Sequence, residues 1–141
     1  MILVKEFNLK IYSSNKVFYD GPATSLILPT PDGSLGILAN HENMVVALDI
    51  GELHLKYKDE PWITAAVSKG FAEIINNKVS VLSSTVELPE EIDANRAREA
   101  KERAEEHLRQ HNSMREYYIS QSDLARAMAR LKTSSTKNWN I

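Results

Sequence analysis

The sequence predicts an α+β protein. An N-terminal antiparallel β-sandwich is expected over residues 1–86, a C-terminal two-helix antiparallel hairpin over 89–132, and a flexible tail over 133–141. All five glycines and all five prolines fall at or before Pro89, and all seven arginines fall after it. Glycine and proline punctuate turns, whereas Ala, Glu, Arg, Leu and Lys carry helices at little cost. The hydrophobic period also changes there, from strict alternation to spacings of three and four.

In the first part, Leu3, Phe7, Leu9 and Ile11 alternate with Lys5, Asn8 and Lys10, the pattern of a half-buried strand. Residues 16–19 and 23–28 form two further strands separated by Asp20-Gly21-Pro22. Pro31-Asp32-Gly33 is turn chemistry. Residues 44–50 and 53–57 flank Gly51 and predict a hairpin, 62–67 and 71–75 follow, and Asn76-Asn77 is a tight-turn pair leading into 79–86. Eight or more short strands at this spacing predict a sandwich or barrel. The sequence contains no internal repeat.

In the second part, Pro89 suits a first helical position, and Glu90, Glu91 and Asp93 complement the positive end of the dipole. The first helix places Ala97, Ala100, Ala104 and Leu108 on one face, where small side chains allow a partner close. His111-Asn112 interrupts the pattern, and Ser113-Met114-Arg115-Glu116 reads as a capping box. The second helix then shows a stripe of Tyr117, Gln121, Leu124, Met128 and Leu131. Two helices with a short link pair antiparallel. A seam of alanines buries little area, so the hairpin is expected to open readily. The tail from Thr133 is polar and expected to fray, despite Trp139.

Composition narrows the function. There is no cysteine, which fits a reducing compartment and removes disulfides, thiolate metal sites and cysteine nucleophiles. The net charge is only −2, and the second part balances its 10 basic with 9 acidic residues, which argues against a phosphate-backbone binder. Met1-Ile2-Leu3-Val4 meets Lys5 and Glu6 at once, too short for a signal sequence core. Apolar runs such as Met44–Leu48 are far below membrane-spanning length, so any membrane role is expected through a partner.

No catalytic constellation is visible: G-x-x-x-x-G-K-[ST], G-x-S-x-G and H-E-x-x-H are all absent. His107 and His111 sit four apart, but without a third ligand they read as surface histidines, and no metal site is expected. The arginines carry more. Arg96 and Arg103 share one side of the first helix with Asp93, Ala97 and Ala100. An anion site between the helices would set them against Arg126 and Arg130, since guanidinium forks suit phosphate oxygens. Ordinary i,i+4 pairs such as Glu99 with Arg103 offer a plainer reading. Measured from the Leu124 and Met128 stripe, Arg126 lies nearly opposite and Arg130 near the edge, so spacing alone leaves the matter open.

Several motifs carry a resemblance. Asp32-Gly33-Ser34-Leu35-Gly36-Ile37-Leu38 followed by His41 is similar to a loop of the form G-E-L-G-I-x-P-G-H. Val67-Ser68-Lys69-Gly70-Phe71-Ala72-Glu73-Ile74 looks like V-S-G-G-F-x-E-V, and Lys78–Leu82 resembles the strand that follows it. Ile92-Asp93-Ala94-Asn95-Arg96-Ala97 matches [IL]-D-x-x-R-A, and Arg126–Arg130 is similar to R-A-M-x-R. In this order and spacing, to about residue 131, the chain resembles the epsilon subunit of bacterial F-type ATP synthases.

The resemblance implies a non-catalytic rotor subunit of a proton-translocating synthase, peripheral on the cytoplasmic face of the bacterial cell membrane. It implies gamma and the ring of c subunits as partners of the sandwich, with Asp32, Ser34 and His41 at the contact. When extended, the hairpin is expected to meet the alpha and beta subunits and to restrain ATP hydrolysis. It also implies ATP as a regulatory ligand, without a requirement for Mg2+. Ile92, Asp93 and Ala97 are then expected near base and ribose, Arg96, Arg126 and Arg130 on phosphates, and Arg103 and Glu87 in support. Ser34 stands where the family has an acidic residue, Ala39-Asn40 where it has Pro-Gly, and Lys69 where it has the first glycine of a pair. Two alternatives belong to other classes. A stand-alone ATP sensor would not co-purify with gamma and the ring. A nucleic-acid adaptor is disfavoured by the glutamates interleaved with the arginines.

Overall fold

The computed structural model describes residues 5–110 and 113–136; the expectations for Leu3, His111 and Trp139 lie outside them. Ten strands come first: β1 (Phe7–Tyr12), β2 (Val17–Ala23), β3 (Ser25–Thr30), β4 (Gly33–Ile37), β5 (Met44–Leu48), β6 (Gly51–Lys56), β7 (Ile63–Val67), β8 (Gly70–Ile75), β9 (Lys78–Ser83) and β10 (Val86–Glu87). A 3-10 turn (Pro89–Glu91) leads to helices α1 (Ala94–Arg109) and α2 (Met114–Ser134). The strands form two five-stranded sheets, ordered β2-β1-β9-β8-β5 and β10-β7-β6-β3-β4. The sandwich and hairpin are as expected. The sheets are antiparallel throughout except where β1 runs parallel to β9.

Alternation builds the core. Phe7, Leu9 and Ile11 of β1 face Leu26 and Leu28 of β3, Leu53 and Leu55 of β6 and Val81 of β9 in one buried cluster. Burying each such large side chain contributes roughly 1.5–3 kcal/mol.

Several strand expectations change. Asp20-Gly21-Pro22 does not break a strand, because β2 runs straight through it against β1. β2 is an edge strand, where a proline without an N–H forfeits no ladder bond. Residues 44–57 do not form a hairpin, since β5 and β6 lie in opposite sheets. The corner between them is tied by Asp49, whose N–H donates to the Pro29 carbonyl at 2.9 Å and whose carboxylate accepts from the Ile50 N–H at 2.8 Å. Residues 79–86 are not one strand either. β9 ends at Ser83 and β10 begins at Val86 in the other sheet. Ser68 and Ser83 hold this crossing: the Ser83 hydroxyl donates to the Ser68 carbonyl and accepts from its N–H, both at 3.0 Å. Asn76 and Asn77 do form the tight turn, with φ of 48° and 64°.

The hairpin differs in two respects. Pro89 opens the 3-10 turn rather than α1, which starts at Ala94 with Asp93 as its cap. α2 runs past the expected end: Thr133 is helical and fully buried, so fraying does not begin there.

Candidate functional site

α1 and α2 meet through small side chains. Ala97 and Ala104 of α1 and Ser120 and Ala127 of α2 are buried, whereas Met128 is 51% exposed. The expected α2 stripe was therefore rotated away from the true seam. A helix offering only alanines is approached most closely by another small face, not by Met128 and Gln121. This rotation brings Arg126 and Arg130 beside the seam. Both helices start on side-chain caps. Asp93 Oδ1 accepts from the N–H groups of Asn95 and Arg96, each at 3.1 Å, and Ser113 Oγ accepts from the Glu116 N–H at 3.1 Å. Such caps are worth about 0.5–2 kcal/mol each.

Close packing leaves the longer side chains around a cleft of about 500 Å³ between the helices and β10. Arg103, Arg126 and Arg130 line it with Glu87, Asp123, Thr85 and His107, over a floor of Ala100, Ala104 and Ala127. Arg130 Nη2 donates to Glu87 Oε2 at 3.1 Å, and its Nε lies 2.9 Å from Glu87 Oε1. That second contact is an ion pair outside hydrogen-bond alignment, so the buried Nε–H has no aligned acceptor. Arg126 pairs with Asp123 one turn earlier on α2. Three guanidinium groups thus face two carboxylates. The cleft has the size of a small-ligand site, and guanidinium groups are donors suited to the oxygens of an anion.

Of the residues expected at a nucleotide site, Glu87, Arg103, Arg126 and Arg130 come together. The other four do not line this cleft. Ile92 and Ala97 pack with Ala66 and Leu131 where the hairpin meets the sandwich. Asp93 is occupied as a helix cap, and Arg96 is exposed on α1. Asp123, Thr85 and His107 were missed. Asp123 stands three residues before Arg126, an ion-pair spacing that signalled it.

Asp32, Ser34 and His41 lie around β4, Asp32 and Ser34 exposed at its start and His41 beyond its end. Leu38, next to β4, is 63% exposed. Asn40 takes φ 61°, a left-handed conformation that asparagine tolerates, and its N–H donates to Asn77 Oδ1 at 2.6 Å. Among the described residues there is no group of three metal-ligating side chains, and no helix is long and apolar enough to cross a membrane.

A ten-stranded sandwich carrying a thinly packed two-helix hairpin sets the architectural class. Two family descriptions match successive parts of the chain: "ATP synthase, Delta/Epsilon chain, beta-sandwich domain" matches residues 6–89, and "ATP synthase, Delta/Epsilon chain, long alpha-helix domain" matches 90–135. The ATP synthase epsilon chain of Ruminiclostridium cellulolyticum is 43% identical over 131 residues, covering 93% of this chain and 97% of the relative. That of Caldicellulosiruptor bescii is 45% identical over 136 residues, covering 96% and 98%. A chain of the Euglena gracilis mitochondrial ATP synthase shares the fold with a TM-score of 0.79 at 22% identity, covering 90% of this chain and 79% of that one. The chain therefore belongs to the ATP synthase delta/epsilon family, as an epsilon subunit of the F type.

Proposed function

We propose that this subunit couples the catalytic head to the c-ring as part of the central stalk, and that its hairpin is an ATP-responsive brake on hydrolysis. Family membership supports sandwich contacts to gamma and the ring, and the exposure of Asp32 and Ser34 supports the β4 region, with His41 beyond it, as the contact. In this reading the subunit sits on the cytoplasmic face of a bacterial membrane, held there by its complex. The released hairpin reaches the alpha and beta subunits. The observation that carries the ATP reading is the arginine-lined cleft at the hairpin seam.

In this reading the chain's own residues bind and orient. Arg103, Arg126 and Arg130 take phosphate oxygens, Glu87 positions Arg130, and the alanine floor takes apolar surface. Nothing is hydrolysed, so no general base and no Mg2+ are required. A ligand at 100 times its dissociation constant adds about 2.7 kcal/mol to the state that binds it, enough to reverse a docked-to-released balance set within a kcal/mol or two. Falling ATP then releases the hairpin.

Calorimetric titration of ATP tests this. Arg126→Ala is expected to weaken binding tenfold or more, from the roughly 1.5–3 kcal/mol of a hydrogen bond to a charged group. Arg98→Ala is expected to leave it unchanged, since Arg98 is exposed, does not line the cleft and donates to Asn95 Oδ1 at 3.1 Å. A parent that shows no binding at millimolar ATP refutes the sensor and leaves a purely mechanical brake.

A further inference from the structure

The paired arginines of the cleft are held in different ways. Arg130 is gripped by Glu87, a residue of β10, so that pair ties α2 to the sandwich. Arg126 is paired instead with Asp123 of its own helix, and that pair ties nothing to anything else. Both members of the second pair line the cleft. The Asp123 carboxylate therefore sits where an incoming anion must go.

We infer that Asp123 is a built-in counter-ion that competes with the ligand's phosphates for Arg126 and sets the cleft's affinity for polyanions low. The inference rests on the nucleotide reading above. A carboxylate and a phosphate satisfy the same guanidinium fork. When phosphate takes the fork, Asp123 loses its partner and remains beside a polyanion as an uncompensated like charge. Both consequences oppose binding, and the second grows with ligand charge. They are limited by solvent, because the Arg126 and Asp123 side chains are 43% and 46% exposed. Asp123 is thus a tuning residue: it holds Arg126 in the cleft while no ligand is present and moves the working range of the site to higher nucleotide concentration.

The test is calorimetric titration of ATP and of ADP into the full chain and into Asp123→Asn, which keeps the shape and removes the charge. The substitution is expected to tighten ATP by about two- to fivefold, the scale of one partly screened charge pair, and ADP by a smaller factor. In an Arg126→Ala background the gain from Asp123→Asn is expected to shrink, because no fork is left to compete for. Unchanged or weaker ATP binding overturns the inference while the nucleotide reading stands. Equal gains for ATP and ADP, or an undiminished gain without Arg126, also overturn it, since they indicate altered packing of the hairpin. If neither parent nor Asp123→Asn binds at millimolar ATP, the nucleotide reading itself fails and takes this inference with it.

Discussion

The far end of α2 is held to the sandwich by one buried carboxylate. Glu52 of β6 is 6% exposed at its side chain, and its Oε2 accepts a 2.8 Å hydrogen bond from the fully buried Thr133 hydroxyl. Lys132 Nζ lies 3.4 Å from Oε1 but is 75% exposed, and solvent screening leaves that contact worth little. Thr133→Val keeps the volume and removes the donor, so Glu52 loses a hydrogen bond in a site that water barely reaches. A hydrogen bond to a buried charged group is worth roughly 1.5–3 kcal/mol, which corresponds to about ten- to a hundredfold in the docked-to-released ratio. The remaining apolar contact at this joint is small, an Ala66, Ile92, Ala97 and Leu131 cluster. Native-state hydrogen exchange reads the result directly. Amides of Ala127–Ser134 are expected to exchange faster by about that factor, because the last turns of α2 lose the sandwich that packs them and open locally. Amides of β6 and β9 are expected to keep their protection. Unchanged protection in α2, or an equal loss across both sheets, refutes the latch.

Two further outcomes follow from the sandwich. A Cβ at Gly70 would lie 1.8 Å from the Leu82 carbonyl oxygen, which is backbone and cannot step aside; Gly70→Ala is therefore expected to cost about 3 kcal/mol or more, measured as the fall in denaturant midpoint. Burial lowers the pKa of His54 from 6.5, against a smaller opposing pull from Glu52. The folded state thus prefers neutral His54, so this stabilisation is complete above about pH 6.5 and is lost as pH falls through that value towards the lowered folded one. Denaturant midpoints taken from neutral to mildly acid pH are expected to fall, and His54→Gln is expected to lack that component; identical slopes in both proteins would disprove it.

What the sequence revealed was local, and what it concealed was pairing. Alternation in Phe7–Ile11 marks which side chains face inward, and Asn76-Asn77 announces its turn because few other residues accept positive φ at both positions. Neither signal says which strand lies alongside. The corner at Asp49-Ile50 looks like a hairpin because Gly51 suits either a turn or a close approach. Its actual constraint is Pro29, whose Cβ would lie 2.9 Å from a Cβ at Gly51, and that neighbour is distant in sequence. On α2 the largest apolar residues misled. Met128 and Tyr117 draw the eye, yet a helix opposite alanines packs on Ser120 and Ala127. That single rotation decides whether Arg126 faces solvent or the cleft. The Ile92–Ala97 motif was visible as residues, and the Asp93 cap lies wholly within it, but the joint packing of Ile92 and Ala97 depends on Ala66 and Leu131.

The two ends of the hairpin joint have different physical characters, and this bears on how a small ligand could control a helix pair. At Glu52 the contact is buried and carries no cleft, so it contributes a fixed increment to docking. At Glu87 and Thr85 the sandwich forms one wall of the cleft itself, while Arg103, Arg126 and Arg130 come from the helices. That cleft is complete only while α2 lies against β10. Under the proposed function, ATP therefore has differential affinity for the docked state without deforming anything, which is the condition for a ligand to shift a population. Strengthening the Glu52 end raises the docked fraction at every ATP concentration, whereas removing the Asp123 charge moves the concentration at which docking responds. A protein with a stronger latch would stay shut without nucleotide, and one with a tighter cleft would remain saturated through physiological swings. Under that proposal, a buried increment of a few kcal/mol and an arginine paired with Asp123 keep both terms inside the range that millimolar changes in ligand can reverse.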